Sequence, residues 1–404
     1  MNRKVLVTSL MLSLGTASFA NSTNDEIALL KEQLKMLSQK IEQLETKAEN
    51  NEAQVKEVQK AAEVKTAKSG NWADRIKLSG DMRYRAEYID EREREVRNRH
   101  RLRLRLKATT EINDRLNVGF RLVSGGDNPT SANQTLDGAF TTKDFLLDQA
   151  FFDYKLTDQL NLLGGKFSHP IYKPGKTQIL WDNDAIPEGM ALKFAHDGWK
   201  GNLFGYAVEE NSSADDVLLF GGQLNKTFAL SDSNALIAGV GYYDYQDLQG
   251  SAPLFDGNAR GNTLNSNGLI ANDFNIFEAS LEYKTKFINQ PLSVFGTYVE
   301  NTEADDLNSG YAVGFDLGKV TDPGTWHLNY SYMDIDADAV YALFNDSNFG
   351  NGNTDTKGHV LRGGYGLFKN TSLIFAYFSN EARKDQPNNV DYDRFQLDFM
   401  LKFK

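Results

Sequence analysis

The most constraining feature of the chain is a run in which charged and apolar residues alternate, Arg99-His-Arg-Leu-Arg-Leu-Arg-Leu-Lys107. In an extended strand successive side chains point to opposite faces, so the arginines lie on one face and the leucines on the other. The same alternation recurs as far as Phe403, with many aromatic residues on the apolar face. This pattern is typical of a transmembrane β-barrel, whose outward side chains contact lipid and whose inward side chains contact water.

The first twenty residues have the features of a secretory signal peptide. Arg3 and Lys4 precede an apolar run from Val5 to Leu14, and the segment ends in Ala17-Ser-Phe-Ala20, after which cleavage is predicted. The apolar run is too short to span a bilayer, and no later segment has the roughly 20 apolar residues of a transmembrane helix. The chain has no cysteine. A helical membrane protein and a disulfide-linked secreted domain are therefore both excluded.

Residues 21–70 follow a different period. Apolar residues recur there at alternating steps of three and four, which is the heptad pattern of a coiled-coil helix. The positions are Ile27, Leu30, Leu34, Leu37, Ile41, Leu44, Ala48, Val55, Val58 and Ala62, and the polar Asn51 takes the position between Ala48 and Val55. Ile and Leu are mixed in a way that does not choose between two helices and three. Self-association is the favoured role, and the alternative is a single amphipathic helix that docks on its own domain or on another periplasmic surface.

Residues 71–404 are predicted to form one antiparallel barrel. About 16 segments with two-residue alternation occur there, an even number within the range of outer-membrane barrels. Tight connections such as Asn113-Asp114 alternate with long stretches rich in Gly, Asn and Asp, which matches short periplasmic turns and long external loops. A barrel of about 16 strands is wide enough to hold an aqueous channel. The fold class is therefore all-β, preceded by the short coiled coil.

Several segments resemble one family. They are Ile76-Lys-Leu-Ser-Gly-Asp-Met-Arg-Tyr-Arg-Ala-Glu, Arg97-Asn-Arg-His-Arg-Leu-Arg-Leu-Arg, Val118-Gly-Phe-Arg-Leu, Asn133-Gln-Thr-Leu and Asp153-Tyr-Lys. In these segments the chain resembles the putative porins of Gram-negative bacteria, which carry a signal peptide, a periplasmic coiled coil and one barrel. The resemblance implies a passive outer-membrane channel for small hydrophilic solutes and ions. It also implies a homotrimer, and it brings no catalytic residue and no cofactor.

A basic patch is predicted on the wall of the lumen. An arginine that faces lipid at the bilayer midplane costs roughly 2–4 kcal/mol, so the arginines are expected to face inward. The predicted pore-lining residues are Arg83, Arg85, Arg99, Arg101, Arg103, Arg105 and Lys107. Rings of charge set ion preference in pores, so an anion bias follows if the patch is not neutralised.

Carboxylates could cancel this patch. Four candidates lie near the first strand, namely Glu87, Glu91, Glu93 and Glu95. Three more lie in a long loop that could fold into the lumen, namely Asp182, Asp184 and Glu188. If these acids face the arginines, the lumen has a transverse field and little net selectivity. The residues alone leave both alternatives open.

Other functions find little support in the sequence. The formal net charge of −11 argues against a nucleic-acid partner. The five histidines have no metal-ligand spacing, and no Gly-x-Ser-x-Gly motif marks a nucleophile, so neither a metal site nor an enzyme is predicted. Two alternatives remain. One is a structural barrel that binds peptidoglycan through the coil, and the other is an outer-membrane hydrolase barrel.

Overall fold

A computed structural model describes residues 75–92 and 94–404, together with Lys35, Met36, Ser38, Gln39, Lys40, Glu42 and Thr46. These seven positions are helical and exposed. The predicted signal peptide lies outside the described residues, as do most of the predicted coiled coil and the predicted boundaries at residues 20 and 70. Among the helices of the described residues, none is long and apolar enough to cross a membrane.

Seventeen strands form one antiparallel sheet. They are β1 (Ile76–Glu91), β2 (Arg97–Asn113), β3 (Leu116–Ser124), β4 (Gln134–Thr135), β5 (Phe145–Lys155), β6 (Leu160–Lys166), β7 (Glu188–His196), β8 (Trp199–Glu209), β9 (Val217–Ala229), β10 (Ala235–Gln246), β11 (Phe274–Phe287), β12 (Gln290–Asn301), β13 (Ser309–Gly318), β14 (Trp326–Ile335), β15 (Thr356–Phe368), β16 (Thr371–Ala382) and β17 (Val390–Phe403). Strand β4 has only two residues and pairs with the upper part of β2 inside a loop. The other strands make a closed barrel of 16, which confirms the predicted antiparallel barrel of about 16 strands.

The barrel closes because the first strand pairs with the last. Register places Tyr84 opposite Phe399 and Tyr88 opposite Phe395, so aromatic side chains of β1 and β17 lie side by side on the outer face. Inward positions of the same strands carry the polar residues Arg85 and Asp398, which are also register partners. Closure leaves no free sheet edge, which is the condition for strands to cross a bilayer.

Connections alternate in length around the barrel. One end has the short turns 114–115, 197–198, 288–289 and 369–370, and the other end has the long loops 125–144, 167–187, 247–273 and 336–355. In outer-membrane barrels the short turns face the periplasm. The long loops therefore lie on the external side.

The apolar core lies inside the barrel. Trp181 of loop 167–187, Leu248 of loop 247–273 and Tyr341 of loop 336–355 are buried against inward side chains such as Phe204 and Tyr243. Strands β8 to β11 have such apolar inward residues in their external halves, which is why the loops pack there. The loops thus fill one side of the lumen with apolar side chains, whereas the inward face at β1, β2 and β17 carries charged residues.

Candidate pore and constriction

We define the arginine wall as the inward arginines of three neighbouring strands: Arg83 and Arg85 on β1, Arg99, Arg101, Arg103 and Arg105 on β2, and Arg394 on β17. The strands alternate as the sequence predicts, so the apolar partners Met82 and Leu106 are exposed on the outer face. The wall lies opposite the loop-filled side of the lumen.

Carboxylates on the same strands neutralise much of this wall. Arg85 donates two hydrogen bonds to Asp398, at 2.6 and 2.7 Å. Glu87 accepts hydrogen bonds from both Arg99 and Arg394, and its side chain is fully buried between them. Such pairs satisfy charges that would be costly to bury alone.

Nearer the periplasmic end of the wall, one aspartate accepts hydrogen bonds from two arginines. Asp81 accepts hydrogen bonds from Arg103 at 2.9 Å and from Arg105 at 2.7 Å. Arg83 donates to the side-chain oxygen of Asn133 in loop 125–144. The three arginines Arg83, Arg85 and Arg103 are only 8%, 7% and 5% exposed, so they are part of the packed wall more than of its open surface.

The predicted Lys107 also lies on the inward face. Its ammonium group is 5.2 Å from the ring centre of Phe151, in the geometry of a cation–π contact. Of the four acids considered near β1, Glu87 lies within the wall, Glu91 pairs with Arg94 at 3.1 Å, and Glu93 lies outside the described residues. The fourth acid, Glu95, is exposed.

Loop 167–187 brings one acid to the wall. The carboxylate of Asp184 lies 3.6 Å from Arg103 and 3.9 Å from Arg105. Burial acts to raise the pKa of Asp184, but Arg103, Arg83 and Arg105 outweigh it and hold the pKa below its ordinary value. An ionised carboxylate therefore faces the arginines from the loop side of the lumen.

The other two predicted loop acids are placed differently. Asp182 is buried, and its carboxylate accepts N–H groups of Asp184 at 2.8 Å and Ser347 at 2.9 Å. Glu188 does not face the arginine wall, which corrects the expectation. It begins β7 on the outward face shared with the exposed Met190, and it pairs with Lys166 at 2.6 Å.

Two loops are fastened together at this point. The N–H of Asp182 donates to the carbonyl of Phe344 at 2.6 Å, and the N–H of Asp346 donates to the carbonyl of Gln178 at 3.1 Å. Burial raises the pKa of Asp182 to about 7, and the neighbouring Asp184 and Asp346 add to this. Loops 167–187 and 336–355 therefore act as one packed body that narrows the lumen.

On the external side of these packed loops, Arg101 differs from the neighbouring arginines in its hydrogen-bond partners. It donates to the Oγ of Ser131 at 3.3 Å and to the carbonyl of Asn133 at 3.2 Å. Among the described residues it has no carboxylate partner. Arg99, Arg101 and Arg394 line a polar cavity of about 540 Å³ at the external end of the wall, which we call the arginine chamber.

Sequence reasoning missed Asp81 of β1 and two charged residues of β17, Arg394 and Asp398. Both alternate with the aromatic residues of the last strand and so lie on its inward face. The signal that could have found them is barrel closure, because it puts the last strand beside the first. The described residues contain no group of three or more His, Asp or Glu side chains able to hold a metal ion.

A family model described as putative porin matches residues 88–262 and 256–403 of the chain. Among solved structures, Pseudomonas putida OprB in its high-pH structure is 11% identical, with a TM-score of 0.57, over 82% of this chain and 95% of that one. A triple mutant of Rhodopseudomonas blastica porin is 12% identical, with a TM-score of 0.47, over 81% of this chain and 100% of that one. No curated protein matches the chain.

Proposed function

The chain belongs to the putative porin family, and from this premise we propose that small hydrophilic solutes and ions diffuse passively through its barrel along the arginine wall. The protein is thus an outer-membrane porin in fold and family. A channel of this kind needs no cofactor and no energy source, and we assign no residue a catalytic role.

The observation that carries the proposal is the asymmetric filling of the lumen. Apolar side chains of three loops pack against one side, and ion pairs line the other side at β1, β2 and β17. Water and solutes follow polar surfaces, so we place the path along the arginine wall, beside the point where Asp184 contacts it. A barrel of this strand number leaves room for such a path after its loops have packed.

A modest anion bias belongs to the same proposal. Most arginines of the wall are paired with carboxylates, so the wall as a whole is close to neutral. Arg101 is the exception, and it lies at the external end, where entering ions first meet the wall. We therefore expect a weaker preference for anions than seven unpaired cations would give.

Planar-bilayer recordings test the channel and its bias together. Purified protein under a KCl gradient should give stepwise currents with a reversal potential on the anion side, and Arg101→Ala should move it toward zero. Arg92→Ala is the matched control, because Arg92 is exposed and paired with Asp391 outside the chamber. A folded barrel that carries no current contradicts the channel, and an unchanged potential in Arg101→Ala contradicts the bias.

Assembly and anchoring are further parts of the proposal. The heptad pattern of residues 21–70 supports a periplasmic coiled coil that joins barrels, and the likeness to porins favours a homotrimer over a dimer. The same segment would supply the contact with peptidoglycan if the protein also braces the envelope. Outer-membrane lipid would surround the exposed apolar residues of the barrel, such as Leu203 and Val294.

A further inference from the structure

The arginine chamber carries a net positive charge, because its arginines outnumber the nearby carboxylates. Six arginines line it, namely Arg94, Arg99, Arg101, Arg260, Arg383 and Arg394. Two carboxylates line it as well, Glu91 and Asp355. Two more, Glu87 and Asp256, are bound to lining arginines from behind. The balance leaves two positive charges in a cavity of about 540 Å³.

Three of these arginines, Arg99, Arg101 and Arg394, are held in position by hydrogen bonds. Glu87 clamps Arg99 and Arg394 from the wall side, and Tyr392 accepts a hydrogen bond from Arg394 at 3.3 Å. Arg101 is held by Ser131 and the carbonyl of Asn133. Guanidinium groups fixed in this way recognise carboxylates and phosphates through directed hydrogen bonds. Preorganisation of the donors also lowers the entropic cost of binding.

The rest of the chamber is rich in amides and hydroxyls. Asn128, Thr130, Asn348 and Asn353 line it, and Asn345 does so as well. Asn345 is 1% exposed, and its amide oxygen and nitrogen both lack a hydrogen-bond partner among the described residues. Buried amides without partners are rare in proteins, since hydrogen bonding normally satisfies them. Such groups suit a ligand that carries several hydroxyls.

We propose that the arginine chamber is a binding site for a small hydroxylated dianion, such as a phosphomonoester or dicarboxylate of monosaccharide size. This inference rests on the proposed porin function, because it names the class of solute that the channel concentrates at its external mouth. Two fixed positive charges match two negative charges on the ligand, and the amides match its hydroxyls. Cations are disfavoured by the same field.

Calorimetric titration of the folded protein in detergent tests the site without any conduction. At neutral to slightly alkaline pH, glucose 6-phosphate, glucuronate and glucose carry about two, one and no negative charges on the same pyranose frame. We expect binding to weaken about tenfold for each charge removed, because charge-assisted hydrogen bonds are lost. Titration with inorganic phosphate measures how much of the binding free energy comes from the phosphate group alone. A higher KCl concentration should weaken the binding of all the anions.

Variants locate the binding. Arg101→Ala should weaken glucose 6-phosphate binding about tenfold, and Arg101→Lys should lose less, because it keeps the charge. Asn345→Asp should also weaken binding, because it adds a negative charge. Arg92→Ala is the control and should bind as the parent protein does. Each variant counts as folded if its circular-dichroism spectrum matches that of the parent protein. Its heated and unheated samples should also differ in gel migration as those of the parent do.

Three results would overturn the inference: equal binding of glucose and glucose 6-phosphate, no binding of either, or an equal loss in Arg101→Ala and Arg92→Ala. The outcome is separable from that of the porin function. Currents without saturable dianion binding would leave the channel and remove the site. Dianion binding by a barrel that carries no current would keep the site and remove the channel.

Discussion

Replacing Asp184 by asparagine removes the carboxylate that loop 167–187 presents to the arginine wall. Arg103 and Arg105 keep Asp81 at 2.9 and 2.7 Å, so the wall retains its main partner and the barrel should still fold. An ion about 7 Å from the removed charge feels a change of about 0.6 kcal/mol in water, which screening at ~0.1 M salt reduces to about 0.3 kcal/mol. An anion gains what a cation loses, so the permeability ratio of anion to cation should rise about threefold.

The assay is the reversal potential of single channels under a KCl gradient, compared between the parent protein and Asp184→Asn. Asp182→Asn is a matched control two residues away, since the Asp182 carboxylate contacts the N–H groups of Asp184 and Ser347 and no arginine of the wall. Its reversal potential should stay close to that of the parent. If Asp184→Asn leaves the permeability ratio unchanged, or shifts it toward cations, ions do not pass close to Asp184.

Three further outcomes are expected. Glu87→Gln leaves the buried Arg394 and the half-buried Arg99 without their shared carboxylate. It should lower the free energy of unfolding by about 3–5 kcal/mol in urea titrations in detergent. Glu111→Gln, at an exposed ion pair, should change it little. Because burial raises the pKa of Asp182 from 3.8 to about 7, the neutral carboxyl is the form that the folded loops favour. The packing of the loops should therefore lose stability as pH rises from about 4 to about 7, seen as growing open-channel noise, and Asp182→Asn should abolish this trend. Deletion of residues 21–70 should leave a folded barrel whose mass in detergent is that of a monomer, and an unchanged oligomer would contradict assembly by the coil.

The barrel itself could be predicted from local pattern. Alternation with a period of two depends only on neighbouring residues, so segments such as Arg99-His-Arg-Leu-Arg indicate both the strand and the face that each side chain takes. The strand number followed from counting these segments, and loop lengths separated the two ends of the barrel. The inward direction of the arginines follows from the cost of exposing them to lipid. Each of these arguments concerns one residue or its neighbours along the chain, so a single sequence can support it.

The partners of the arginines are a different kind of information. Asp398 pairs with Arg85 across 313 positions of the chain, and Arg394 shares Glu87 across 307. Alternation places each of these residues on an inward face but does not give its position along the barrel axis. That position depends on the register between the first and last strands, which the local pattern does not determine. Glu188 is misplaced for a different reason, because it is the first residue of β7 and lies beyond the end of loop 167–187.

The bore and the charge of this channel are set by different parts of the molecule. Loops 167–187 and 336–355 narrow the lumen by packing apolar side chains such as Trp181 against strands β8 to β11. The field along the path comes from charges on β1, β2 and β17, where fixed register pairs most arginines with acids. Asp184 is the point at which the two parts meet, since it is carried by a packed loop and faces the wall. Substitutions in the loop core should therefore act mainly on conductance, and substitutions in the wall mainly on selectivity, with Asp184 able to affect both.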